Sequence, residues 1–176
     1  KTQERVIRSF KDPEILGYQY IGNLSDYQNK NIKEDRLRQY LRLKGYADKL
    51  IDAAVMQLQQ EAGNLSRGVY DANKTVYSRL KYGIPVSESP EKPPVTVELI
   101  DEANPLNNDF AIAEEVTVVE QQEKRPDLVI YLNGIAVAVI ELKRSSISVS
   151  EGIRQNLTNQ KDSFIRGFFT TMQFCM

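Results

Sequence analysis

The first half of the chain carries apolar residues at the spacing of amphipathic helices. Between Thr2 and about Lys81 they recur every three or four positions, which predicts four helices over the apolar stripes 6–10, 37–43, 50–58 and 69–80. A short strand is predicted at residues 17–22, between the first two helices. We interpret these stripes as the faces that pack into a core.

The second half is richer in β-branched residues, and a proline-rich segment precedes it. Residues 85–94 contain four prolines, which disfavour both helix and ladder pairing and predict a linker. Strands are predicted at 95–100, 110–119, 127–132 and 135–143, then a helix over 153–164 and the start of another strand at 168–174. We therefore expect a mainly helical part (1–84), a linker (85–94) and a core (95–176) that is truncated at its end.

Composition excludes several classes of enzyme. The chain has no histidine and one cysteine, so histidine-based catalysis, disulfide frameworks and thiolate zinc sites are excluded. It also lacks the glycine-rich loops that bind nucleotide phosphates. No run approaches the roughly 20 apolar residues that span a bilayer, so we expect a soluble, cytoplasmic protein without membrane contact. The net charge of −1 argues against a protein that grips DNA unaided.

The two strands on either side of Asn133-Gly134 predict a hairpin with a charged end. They are apolar throughout their middle, so we expect them to be central and buried. A three-residue loop centred on Gly134 would place Asp127 opposite Glu141, and Lys143 would share their face. A two-residue turn would shift the pairing by one and separate the carboxylates. We therefore predict the three-residue loop.

Asp127, Glu141 and Lys143 together predict a metal-dependent hydrolytic site. Two neighbouring carboxylates repel each other unless a cation compensates them, and Mg²⁺ or Mn²⁺ accepts such oxygen ligands. The carbonyl of Leu142 lies near enough to contribute. Lys143 would orient or activate the water that attacks a phosphodiester. The alternative is that Asp127 caps a strand while Glu141 and Lys143 form a solvated ion pair; we weigh the metal site above it.

The motif residues resemble those of the N-terminal nuclease domain of the type I restriction enzyme R subunit, a PD-(D/E)xK family: Pro126-Asp127, Asn133-Gly134, Glu141-Leu142-Lys143 and Gln155. The resemblance implies an α/β (α+β) fold with a restriction-endonuclease-like core, in which helices flank a mixed central sheet, plus a helical N-terminal part. It implies that Gln155 is catalytic and that Glu4 is a further acidic metal ligand. The family often has a tyrosine where this chain has Asn159.

The resemblance also implies partners. Double-stranded DNA would be the substrate, and modification and specificity subunits would complete the complex. ATP would bind only to motor domains absent from this chain. The weak net charge is then no objection, because other parts of the complex present the DNA. Lys124, Arg125 and Arg144 flank the predicted site and could meet phosphates.

Two alternatives stay open. One is a stand-alone repair nuclease or junction resolvase with the same fold. The other is a non-catalytic module that docks a motor onto partner subunits, and the size of the helical first half motivates it.

Overall fold

The computed structural model describes residues 2–89, 91–142 and 149–176. It contains the helices α1 (Thr2–Lys11), α2 (Glu34–Leu43), α3 (Asp48–Gly63), α4 (Val69–Tyr82) and α5 (Val149–Asn159), and two 3-10 helices, Pro105–Asn107 and Arg166–Thr171. The strands are β1 (Gln19–Asn23), β2 (Ile84–Val86), β3 (Val95–Val97), β4 (Phe110–Glu114), β5 (Val118–Val119), β6 (Glu123–Lys124), β7 (Leu128–Leu132), β8 (Ile135–Ile140) and β9 (Phe174–Cys175). The four predicted N-terminal helices and the strand between the first two are confirmed. Over these ranges, every helix is too short or too polar to cross a membrane.

A mixed five-stranded sheet organises the fold, which is α/β and compatible with the predicted α+β class. Its strand order is β1-β4-β7-β8-β9. The strands β4, β7 and β8 are antiparallel neighbours, whereas β1 and β9 pair in parallel at the two edges. The central, buried position predicted for the hairpin strands is confirmed, since β7 lies in the middle of the sheet and β8 beside it.

Both faces of the sheet are covered. Along β7, Val129 and Tyr131 contribute to a cluster with Phe168 of the second 3-10 helix, whereas Leu128 packs with Ile7 of α1 on the other face. This alternation follows from the two-residue period of a strand. Asp127, one residue before Leu128, therefore belongs to the face that Phe168 covers.

A third cluster joins the helices α2, α3 and α4 to the turn end of the β7–β8 hairpin. This cluster contains residues from both sides of the predicted linker: Leu80 of α4 precedes the linker, whereas Leu99 and the first residue of β8, Ile135, follow it. The predicted linker, residues 85–94, begins within β2 and is followed directly by β3; the two strands pair in a ribbon, in which Pro85 lies opposite Thr96. Pairing was not expected there; it is possible because a ribbon strand has an edge on which a missing N–H costs nothing.

The predicted three-residue loop of the hairpin is wrong. Leu132 pairs directly with Ile135, which leaves a two-residue turn at Asn133-Gly134. Both turn residues have positive φ, 52° and 83°, as a type I′ turn requires. Asn133 is fully buried, and its side chain donates to the carbonyl of Leu99 and accepts from the N–H of Asp109. These contacts fix the turn against the preceding segment.

A β-bulge restores the predicted register at the far end of the hairpin. The pairing shifts by one between Ile130 and Tyr131, where Val137 is the extra residue, and Leu128 then pairs with Ile140. Continued outward by one residue, this register would bring Asp127 opposite Glu141. The two-residue turn is therefore compatible with the predicted approach of the carboxylates, because the bulge absorbs one residue of β8.

Two further strand predictions are wrong in part. The strand predicted over 110–119 is interrupted at Glu115, whose φ is 51°, so β4 ends at Glu114 and β5 begins at Val118. The strand predicted over 168–174 is mostly the 3-10 helix Arg166–Thr171, and only β9 pairs with β8. In the first case a left-handed residue turns the chain away from the sheet.

Candidate functional site

Asp127 lies immediately before β7 and is hydrogen-bonded to the residues that follow both neighbouring strands, β4 and β8. Its carbonyl accepts the N–H of Glu115 at 2.9 Å. Its carboxylate oxygen Oδ2 accepts the N–H of Leu142 at 2.6 Å. This bond fixes Asp127 against the segment that follows β8.

Glu141 immediately follows β8 and is 9% exposed. Its N–H donates to the carbonyl of Met176 at 2.7 Å, next to β9. Its Oε2 accepts a hydrogen bond from Gln155 Nε2 at 2.9 Å. Burying a carboxylate is costly unless donors or cations compensate its charge. The structure thus places Gln155 next to one member of the predicted pair, while its catalytic role stays a prediction.

The helix α5 presents polar residues to the protein and apolar residues to solvent. Gln155 is half-buried, Asn156 and Asn159 are buried, and Ile153 and Leu157 are more than half exposed. A helix that packs on a core normally shows the reverse pattern. The reversal indicates that α5 lines a polar site. Asn159, which stands where the family often has a tyrosine and was given no role, is almost fully buried, and the burial of Asn156 was not predicted.

The predictions for Lys143 and Arg144 lie outside the described residues. Glu4 is exposed in the first turn of α1. Across the described ranges, no three acidic or cysteine side chains form a group that could hold a metal ion. The assignment of Glu4 as a third ligand accordingly stays a prediction.

A second acidic pair, which the sequence analysis missed, lies at the end of β4. Gln3 Nε2 donates to Glu114 Oε2 at 3.0 Å and to Glu115 Oε1 at 3.2 Å. Tyr20 donates its hydroxyl to Glu114 Oε1 at 2.5 Å, and burial together with this carboxylate raises the pKa of Tyr20 to about 12. Two successive glutamates in the middle of the strand predicted over 110–119 were the available signal.

The chain belongs to a family of restriction-enzyme domains. Residues 1–176 match the family model described as "Type I restriction enzyme R protein N terminus". A relative from Methanocaldococcus jannaschii is named "Putative type I restriction enzyme MjaIXP endonuclease subunit". The two are 33% identical over 97 residues, which cover 51% of this chain and 9% of the relative. The chain therefore matches a small part of that protein's length.

Proposed function

We propose that this chain is the endonuclease domain of a type I restriction enzyme R subunit, with a PD-(D/E)xK site that hydrolyses double-stranded DNA. The observation that carries the proposal is the register of β7 and β8, in which Leu128 pairs with Ile140, because its continuation by one residue would bring Asp127 opposite Glu141, the residue that Gln155 of α5 contacts. Family membership and the name of the relative support the endonuclease role.

The donor set suits a hard divalent cation. Asp127 and Glu141 would hold Mg²⁺ or Mn²⁺, and Leu142, which follows Glu141 in the chain, could contribute its carbonyl. When bound, the ion would polarise the phosphodiester and make a water molecule easier to deprotonate. The chain has no histidine, so a softer metal would find no imidazole ligand at the site.

Each protein group then has a role that its contacts support. The N–H of Leu142 fixes the orientation of Asp127, and Gln155 fixes that of Glu141. Such outer contacts orient ligands and sharpen their affinity. Lys143 would orient or activate the attacking water and stabilise charge that develops on the phosphate. Glu4 would act only as an additional carboxylate near the same end of the sheet.

In the complete subunit, cleavage would be coupled to ATP-driven movement of DNA by motor domains outside this chain. The modification and specificity subunits would supply sequence recognition. The chain spans 9% of the relative's length, which leaves ample room for such domains in that protein. The net charge of −1 fits a nuclease domain to which other parts of an assembly deliver the substrate.

The test compares three variants of the full subunit, Asp127→Asn, Glu141→Gln and Lys143→Ala, with the control Glu123→Gln. Glu123 is an exposed carboxylate on β6, four residues before Asp127. We expect the three variants to abolish DNA cleavage and to leave ATP hydrolysis intact, whereas the control cuts normally. Normal cutting by Asp127→Asn would refute the proposal and favour the docking-module alternative.

A further inference from the structure

A small hairpin, formed by β5 and β6, precedes Asp127 and is fastened to the core. Val118 pairs with Lys124 and Val119 with Glu123. At its tip, the carboxylate of Glu120 accepts the N–H groups of Gly167 and Phe168 at 2.9 and 2.7 Å. These bonds attach the hairpin tip to the 3-10 helix Arg166–Thr171, so the backbone of β6 is held in place.

Lys124 lies on the same side of this hairpin as its buried partner Val118, since cross-strand partners share a face. Its Nζ stands 4.8 Å from the centroid of the Phe164 ring. This distance suits a cation–π contact, which holds the ammonium without neutralising it. In the part of the chain that the structure describes, Lys124 forms no ion pair with a carboxylate.

Arg125 follows on the same segment and is exposed. Its Nε donates to Thr117 Oγ1 at 3.2 Å, which orients the guanidinium. The closest contact with Glu123 is 3.9 Å, too long for a hydrogen bond. A planar guanidinium held in this way can bind a phosphate through its remaining N–H groups.

The position of the Lys124 and Arg125 side chains relative to Asp127 and Glu141 suggests what these two basic side chains bind. Lys124 is three residues from Asp127, a span of at most about 11 Å. Along one DNA strand, this corresponds to about three nucleotides at a rise of roughly 3.4 Å each. Phe164, which Lys124 contacts, lies five residues beyond α5, the helix whose Gln155 contacts Glu141.

We propose that Lys124, held over Phe164 and assisted by Arg125, binds a backbone phosphate of the DNA within about three nucleotides of the cleaved bond. The inference rests on the proposed nuclease function and assigns the substrate contact of the same site. Phosphate contacts position a duplex without reading its sequence. Lys124 is thus a positioning residue that touches substrate away from the reacting atoms.

The test measures DNA cleavage by the full subunit in its complex as a function of DNA concentration at several salt concentrations. Loss of one phosphate contact lowers the slope of log KM against log salt concentration by about 0.9. The ratio of the variant's KM to the wild-type KM is then roughly eightfold larger at 0.1 M salt than at 1 M salt. We expect Lys124→Gln to show both changes with kcat unaltered. Lys124→Arg should restore both, and Phe164→Leu should raise KM less while keeping the slope.

The matched control is Lys49→Gln, because Lys49 is an exposed lysine on α3, in the helical layer. The inference is overturned if Lys124→Gln behaves like this control, or if it lowers kcat and leaves KM and the salt slope unchanged. Asp127→Asn, measured in parallel, separates the two proposals: an inactive Asp127→Asn with an unaffected Lys124→Gln refutes only the phosphate contact. A fully active Asp127→Asn refutes the nuclease function itself.

Discussion

Gly134→Ala tests how the hairpin turn docks on α2. Gly134 has φ of +83°, and a Cβ built there would lie 2.6 Å from the carbonyl oxygen of Lys33 and 2.7 Å from the nitrogen of Leu37. Both atoms belong to the main chain at the start of α2, so no flexible side chain can move aside. The N–H of Lys33 also donates to the carbonyl of Gly134 at 2.7 Å, which holds the two segments together.

The cost has two parts that a matched variant separates. Left-handed backbone costs an alanine about 1–2 kcal/mol, and forcing a methyl group into a filled space costs about 1–3 kcal/mol more. We therefore expect Gly134→Ala to lower the free energy of unfolding by about 2–5 kcal/mol. Gly45 has φ of +85° and no atom within 4 Å of its built Cβ, so its replacement by alanine incurs only the backbone cost. Gly45→Ala should cost about 1–2 kcal/mol.

The assay is urea unfolding of the wild-type chain and the two variants, followed by far-ultraviolet circular dichroism. Replacing glycine by alanine lowers the conformational entropy of the unfolded chain in both variants, and this contribution to the free energy of unfolding cancels when they are compared. A difference of about 1–3 kcal/mol between them supports the close approach of Gly134 to α2. Equal midpoints and slopes for Gly134→Ala and Gly45→Ala would refute it.

Three other predictions follow from the same structure. Deletion of Val137 removes only the bulge residue and leaves the pairing beyond it unchanged, so DNA cleavage by the full subunit should persist. An alanine inserted after Val139 shifts Glu141 by one residue relative to Asp127 and should abolish cleavage. Gln155→Ala should weaken Mn²⁺ binding in calorimetry by about 10- to 100-fold without unfolding the domain; unchanged affinity would contradict the role of this amide. Hydrogen bonds from Asn107 and other donors lower the pKa of Asp101 to about 2, so its contribution to stability is present above the unfolded pKa of roughly 4 and is lost as pH falls towards 2. Acid unfolding of Asp101→Asn should lack this component, and an unaltered acid transition would refute it.

The helices and the position of the hairpin could be predicted from the sequence because burial there follows a regular period. The bulge could not be predicted. Residues 135–140 are all apolar, so nothing in their pattern distinguishes the two faces of β8. In the structure, the carbonyl of the bulge residue Val137 accepts a hydrogen bond from the N–H of Gln173, a residue distant in sequence. The predicted register at the Leu128 end of the hairpin was thus reached through a turn of the wrong length.

The break after β4 also depends on contacts far apart in sequence. Glu114 and Glu115 receive hydrogen bonds from Gln3, more than one hundred residues earlier, and this anchors the left-handed turn at Glu115. Local β propensity over 110–119 carries no trace of such a partner. The candidate site residues stay predictions: Asp127 and Glu141 follow from the register of the hairpin and Gln155 from the resemblance, and the structure brings Gln155 into contact with Glu141.

The central claim is that Asp127 and Glu141 together bind a catalytic divalent cation. The most direct measurement is a calorimetric titration of Mn²⁺ into the wild-type chain, Glu141→Gln and the control Glu123→Gln, each with duplex DNA present. We predict one site in the wild-type chain and in the control, and its loss in Glu141→Gln. Equal binding by all three proteins, or no binding to the wild-type chain, would contradict the claim.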